Sequence, residues 1–345
     1  MTYIVQSTER NNKKASDYET KGMLYLMCNH KDAEEMFYFV IDFFNDVTAV
    51  HRLGHKAWDL QSKGERKLTA TKLGKYLVTL YKNYLSDLDF SSYILFVEGI
   101  SSTSLLDQDA KIFSIKNFDD KNKERIMRSL KDKAKDVSYI DSSMITDENI
   151  LDFLSKVTFV INDKEKHEYI KQIIQQKSSL MVEDGFLAKI FDEIRDKQTV
   201  KKSIYTEGMK IDKLIDFFPT KKYITYNEII LLILSRLIHK DNIIKQGAPV
   251  CFVQSLSNLG KTDEEIKELV EDCEQDISRM LFDKNNASNY WDLFFNIYDT
   301  IKSNPKLSVM EIYNYLGVEK FESVNFLTFN SAQYFIALIK DGVLT

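Results

Sequence analysis

Residues 45–64 read NDVTAVHRLGHKAWDLQSKG, and their pattern decides how the first third of the chain is built. Val47–Arg52 and Ala57–Lys63 are short runs of strand-forming residues separated by a turn containing Gly54, which predicts a β-hairpin. Alternate side chains of a strand share a face, so Asp59, Gln61 and Lys63 project together while Trp58, Leu60 and Ser62 face the other way. Asp46 stands just before the partner strand. The hairpin therefore brings an aspartate beside a Gln-x-Lys, two oxygen donors and an ammonium in one small volume.

Working outward, Met23, Leu24, Leu26 and Met27 predict a helix, preceded by about eighteen polar residues expected to fray. Met36–Phe44 (MFYFVIDFF) fits a buried strand or a helix end. From Thr69 the period lengthens: Leu73, Leu77, Leu80, Tyr84 and Leu88 make one face of an amphipathic helix. Buried strands follow at Tyr93–Val97, closed by Gly99, and at Val157–Ile161. Strands interleaved with helices predict a mixed α/β unit. After about residue 165 the apolar spacing is helical, with stripes at Leu187, Ile190, Phe191 and Ile194 and at Ile266, Leu269, Val270, Cys273, Ile277 and Leu281. Pro219, Pro249 and Pro305 mark helix boundaries. The expected division is residues 1–200, with a core at 19–100, and a helical 201–345.

The composition excludes several classes. With 345 residues, 44% hydrophobic and 29% charged, the chain is long enough for two domains and too apolar for disorder. Eleven glycines and three prolines are too few for a turn-dense all-β fold, and three scattered cysteines too few for a disulfide framework or a four-thiolate zinc site. A reducing cytoplasm is the expected compartment. The N-terminus has no apolar signal segment, and Ile229–Leu234 with Leu237 and Ile238 is too short to cross a membrane.

Asp46 with Gln61 and Lys63 suits metal-assisted phosphodiester hydrolysis. Hard oxygens hold Mg²⁺, which lowers the pKa of a bound water and neutralises developing charge. A lysine can orient that water or hold a phosphate oxygen. Asp46 followed by Gln61-Ser62-Lys63, with strand, turn, strand, then helix, then strand, resembles the PD-(D/E)XK nuclease superfamily, over residues 19–100 above all. The glutamine in place of an acid resembles the Mrr-like and CBASS effector-nuclease branches. The run from DFFNDV through WDLQSKG to TLYKNYL resembles nucleases of bacterial anti-phage systems, including Lamassu-type systems with an SMC-like ATPase partner. The resemblance implies a restriction-endonuclease-like α/β core. It gives Asp46 as metal-binding aspartate, Gln61 as second ligand and Lys63 as catalytic lysine, with Mg²⁺ or Mn²⁺ as cofactor and double-stranded DNA as substrate. Asp59 could supply the carboxylate that Gln61 lacks, and Glu35 an acid from the preceding element. The alternative is an inactive nuclease-like DNA-binding or adaptor subunit of a defence complex.

Net charge is −5, yet residues 52–82 hold eight lysines and arginines against two acids, and residues 111–135 nine against four. Basic charge gathered near the proposed site suits a phosphate backbone. Residues 262–283 are the reverse, nine acids against two bases. Gly260-Lys261-Thr262 lacks the earlier glycine of a phosphate loop, and His51 and His55 lack zinc-ligand company. The helical half, ending in Tyr313, Tyr315, Phe321, Phe326, Phe329, Tyr334 and Phe335, carries no chemistry of its own. Its aromatics are expected in the core, and its role is expected to be docking in a homo-oligomer or hetero-complex that gates activity.

Overall fold

The computed structural model describes residues 3–5, 13–28, 33–175, 182–239, 248–257 and 261–344. They form two compact units: Met1–Tyr169 with Phe191–Tyr226, and Ile170–Ile190 with Asn227–Thr345. The chain is mixed α/β in the first and helical in the second, as its periodicities predict.

The first unit opens with a two-residue strand β1 (Tyr3–Ile4) and helix α1 (Lys13–Cys28). A meander follows: β2 (Met36–Ile41), β3 (Val47–His51) and β4 (Ala57–Lys63). Helices α2 (Ala70–Tyr76) and α3 (Val78–Tyr84) lead to β5 (Phe90–Val97). Then come β6 (Ile112–Ser114), α4 (Asp120–Lys135), α5 (Asp147–Lys156) and β7 (Val157–Ile161), followed by α6 (Lys166–Ile173) and α7 (Asp184–Lys202), of which residues 170–173 and 184–190 are counted in the second unit. The unit closes with β8 (Lys210–Ile211) and β9 (Tyr223–Thr225). Seven strands make one sheet in the order β6-β7-β5-β4-β3-β2-β9, while β1 pairs with β8. The pairs β9–β2, β2–β3 and β3–β4 are antiparallel; β5 lies parallel to β4, and β7 parallel to β5. The parallel step from β4 to β5 needs a crossover, which α2 and α3 supply.

Met36–Phe44 resolves as strand through Ile41, because Phe39, Val40 and Ile41 are all buried in the sheet. Gly54 turns the hairpin at φ +74°, a conformation that costs other residues a steric penalty. The helix expected from Thr69 is two helices that break at Leu77, yet Leu73, Leu77 and Leu80 all stay fully buried. Thr69 caps the first. Gly74 lets α2 lie against α4, since a Cβ there would stand 2.4 Å from the Ile126 carbonyl oxygen. The expected fraying does not extend to residues 13–18, where α1 has formed and Tyr18 is buried; residues 6–12 lie outside the described residues.

The division expected near residue 200 falls elsewhere. Residues 191–226 belong to the first unit because β9 completes the β2 edge and β8 pairs with β1. Such edge pairing is set by long-range hydrogen bonds that local composition does not encode.

The second unit holds α8 (Tyr226–Leu237), α9 (Val250–Ser257), α10 (Asp263–Phe282), α11 (Ala287–Ser303), α12 (Val309–Leu316), α13 (Val318–Glu322) and α14 (Phe329–Leu344). α14 packs against α9, α10, α11 and α12. Tyr313, Phe321, Tyr334 and Phe335 are core, as expected, but Tyr315, Phe326 and Phe329 are 70%, 49% and 51% exposed. Thr262 of the Gly-Lys-Thr sequence is a helix cap: its hydroxyl accepts from the Glu265 amide while Glu265 accepts from the Thr262 amide. Gly260 lies outside the described residues. Among the described residues no helix is long and apolar enough to cross a membrane.

Candidate active site

The β3–β4 ladder ends at Val47 opposite Leu60, while β4 runs on to Lys63 paired only with β5. Where β3 leaves β4, the Ser62 amide has no strand partner on that side, and the side chain of Asp46 takes its place. One oxygen, Asp46 Oδ2, accepts from Ser62 N at 2.7 Å, Ser62 Oγ at 2.8 Å and Gln61 Nε2 at 2.7 Å. Gln61 Oε1 accepts from Thr79 Oγ1 at 2.7 Å, so α3 fixes the amide from the other side. Asp46 and Gln61 are thus brought together, at 8% and 3% exposure.

Asp59 lies on the same strand face but deeper. It is fully buried, with Thr48 Oγ1 on Oδ1 at 2.9 Å and Asn83 Nδ2 and Asn45 Nδ2 on Oδ2 at 2.6 and 3.3 Å. Burial pushes its carboxyl up to about 6, against these donors that lower it. Asp59 is held as a structural hub behind the site, where its oxygens serve the sheet–helix polar network.

The acid that α1 contributes is one the sequence reading missed. Glu19, 2% exposed, lies among electrostatic neighbours that include Asp46 and Asp42. Burial first, then the Asp46 charge, pushes Glu19 up to about 7. Lys202 opposes this with an ion pair at 2.8 Å, and Lys222 sits 3.4 Å from Asp42. The helical period did carry a signal, since Glu19 stands four and seven residues before Met23 and Leu26 on a buried helix face.

Lys63 follows Gln61 by one strand repeat on the same face, about 6.6–7 Å along the strand. Its ammonium lies 5.4 Å from the centroid of the Tyr76 ring on α2. Glu35 is a different case and corrects an expectation. It stands in a turn before β2, at the end where Met36 pairs with His51, and bonds Lys56 at 2.6 Å. The length of β3, roughly 15 Å, separates that end from Asp46. Glu35 belongs to a surface ion pair. His51 and His55 lie near it with ring centroids 4.1 Å apart and the rings tilted at 48°.

Part of the basic charge is locally compensated, with Arg66 paired to Glu98, Lys72 to Glu65 and Lys131 to Asp147. Lys75, Arg125, Arg128 and Lys133 line a groove between α2 and α4 together with Asp132 and Asp136.

Among the described residues no three His, Cys, Asp or Glu side chains converge as a metal cage. The donor set still suits Mg²⁺, which takes one or two carboxylates and completes its shell with water and substrate phosphate. Asp46 supplies a hard carboxylate, whereas Gln61 turns its Nε2 to Asp46 and its Oε1 to Thr79, so its amide must turn over to offer an oxygen to the same ion; Glu19, pushed up by burial first and by the Asp46 charge second, is a further acid.

No protein-family model matches the chain, and no solved structure matches it. A stretch of 149 residues is 26% identical to the transcription elongation factor GreA of Borreliella burgdorferi, covering 42% of this chain and 16% of that protein. The chain therefore spans less than a fifth of the relative it matches.

Proposed function

We propose that the first unit is a Mg²⁺-dependent endonuclease that cleaves double-stranded DNA with little sequence preference. The observation that carries this is the contact of Asp46 with Gln61 at 2.7 Å, at the point where β3 leaves β4, with Lys63 next on the same face. Asp46 and Gln61 would hold the metal, which supplies an activated water and charge neutralisation. Lys63 orients that water or holds a phosphate oxygen through its ammonium. Ser62 fixes the Asp46 carboxylate before substrate arrives, while Thr79 holds the Gln61 oxygen and must release it when the amide turns to the metal. A neutral Gln61 leaves one charge fewer than a two-acid site, which favours metal entry together with DNA phosphate.

The motif's resemblance to defence nucleases extends the proposal to an effector gated by oligomerisation or by a partner, such as an SMC-like ATPase. Incubation of supercoiled plasmid with the purified chain tests it. Nicking with Mg²⁺ or Mn²⁺ that EDTA abolishes supports the reading. DNA binding without cleavage under any metal, at concentrations that drive self-association, supports the inactive adaptor instead.

A further inference from the structure

A cavity of about 640 Å³ opens between β1, the end of α3 and the loop that joins α4 to α5. This lies within the roughly 300–1,000 Å³ range of small-molecule pockets. The basic residue that lines it is Lys82. The ammonium lies 4.1 Å from the ring centroid of buried Tyr3 and 5.5 Å from that of half-buried Tyr139, and it donates to the Ile4 carbonyl at 2.9 Å. Among the described residues no carboxylate forms an ion pair with it. An ammonium among apolar groups and tyrosine faces, with one protein acceptor for three N–H donors, is arranged to receive an anion. Leu85, Ile140 and Met144 supply apolar wall, and Asp87 and Asp141 also line the cavity as acceptors.

Lys82 and Tyr139 also line a narrow cleft whose other walls include Asn45, Asp46 and Thr79. The two spaces share these two side chains. A strand whose phosphate sits at Asp46 would have its neighbouring nucleotide at the cavity mouth.

We propose that this cavity receives one unstacked nucleotide of the substrate strand, its phosphate on Lys82 and its base against Tyr139. The inference rests on the nuclease reading and deepens it: the strand is opened by one nucleotide beside the bond to be cut. Stacking on a tyrosine accepts any base, which agrees with low sequence preference. Burial lowers the Lys82 ammonium to about 8, so the anion hold should weaken in alkaline buffer.

The test is calorimetric titration of the full chain, in EDTA, with thymidine 5′-phosphate and separately with inorganic phosphate. The nucleotide is expected to bind at least tenfold tighter than phosphate. Tyr139→Ala should lose that advantage, and Lys82→Met should weaken both ligands. Equal affinity for the two ligands in the unmodified chain overturns the base pocket, and so does an unchanged nucleotide affinity in both variants. Because EDTA removes catalysis from this readout, plasmid cleavage by the unmodified chain reports separately on the nuclease reading.

Discussion

At the turn end of the β3–β4 pair, Glu35, Lys56, His51 and His55 meet in the open. At the other end, Asp46, Gln61, Ser62 and Lys63 meet where β3 leaves β4. Both ends hold an acid and a lysine, but the settings differ. The Glu35–Lys56 pair is 42% and 28% exposed at the side chain, so water screens it and it adds little to stability. Asp46 is nearly buried, and three donors converge on one of its oxygens. Desolvation makes each of those bonds stronger and its loss costlier. The lesson is that a residue's place along the strand ladder, more than its type, separates a surface ion pair from a candidate reaction centre.

The sharpest way to stress this contrast is Gln61→Glu. It would set two carboxylates about as close as the present 2.7 Å amide contact, and both cannot ionise there without a cation. The variant should lose about 1–3 kcal/mol of stability at pH 8 without metal, seen as a fall in Tm, and recover most of it in millimolar Mg²⁺. An unchanged Tm with no Mg²⁺ response would remove Gln61 from the metal site.

Asp59 offers the next effect, read through pH. Its folded value, about 6, lies above its ordinary value of 3.8. Between these the folded chain keeps a proton that the unfolded chain has lost, so stability falls as pH rises from about 4 to about 6 and the loss is complete above that. The shift corresponds to roughly 2–3 kcal/mol. Asp59→Asn should flatten this part of the denaturant-derived stability profile; an identical slope would show that Asp59 does not titrate as described. Glu19 adds a fall of the same sign nearer pH 7.

Glu35→Ala should do least: little or no change in Tm, and DNA cleavage within twofold of the parent. A large loss of cleavage would return Glu35 to the site.

The strands that carry the site were legible because β3, β4, β5 and β7 are each an apolar or alternating run of five to eight residues. Strands β6 and β9 have three residues each and exist only by pairing with β7 and β2, so no local period announces them. The facing of Gln61 and Lys63 followed from the alternation of a strand, and the nearness of Asp46 from the hairpin. That Ser62 would reach the same carboxylate did not, since its side chain belongs to the opposite strand face and only the parting of β3 lets it bond there. Lys202 and Lys222 reach Glu19 and Asp42 from about 180 residues away in sequence. Tertiary closure alone brings such groups together.

The most direct measurement is plasmid cleavage in Mg²⁺ by Lys63→Ala beside the parent chain, with both shown to have the same Tm. Lys63 projects from the end of β4 and is half-buried, so its removal should leave the fold intact. The account predicts that the variant keeps the parent's stability and loses cleavage by a factor of at least ~10². Cleavage by Lys63→Ala at the parent's rate would contradict the assignment of this strand as catalytic.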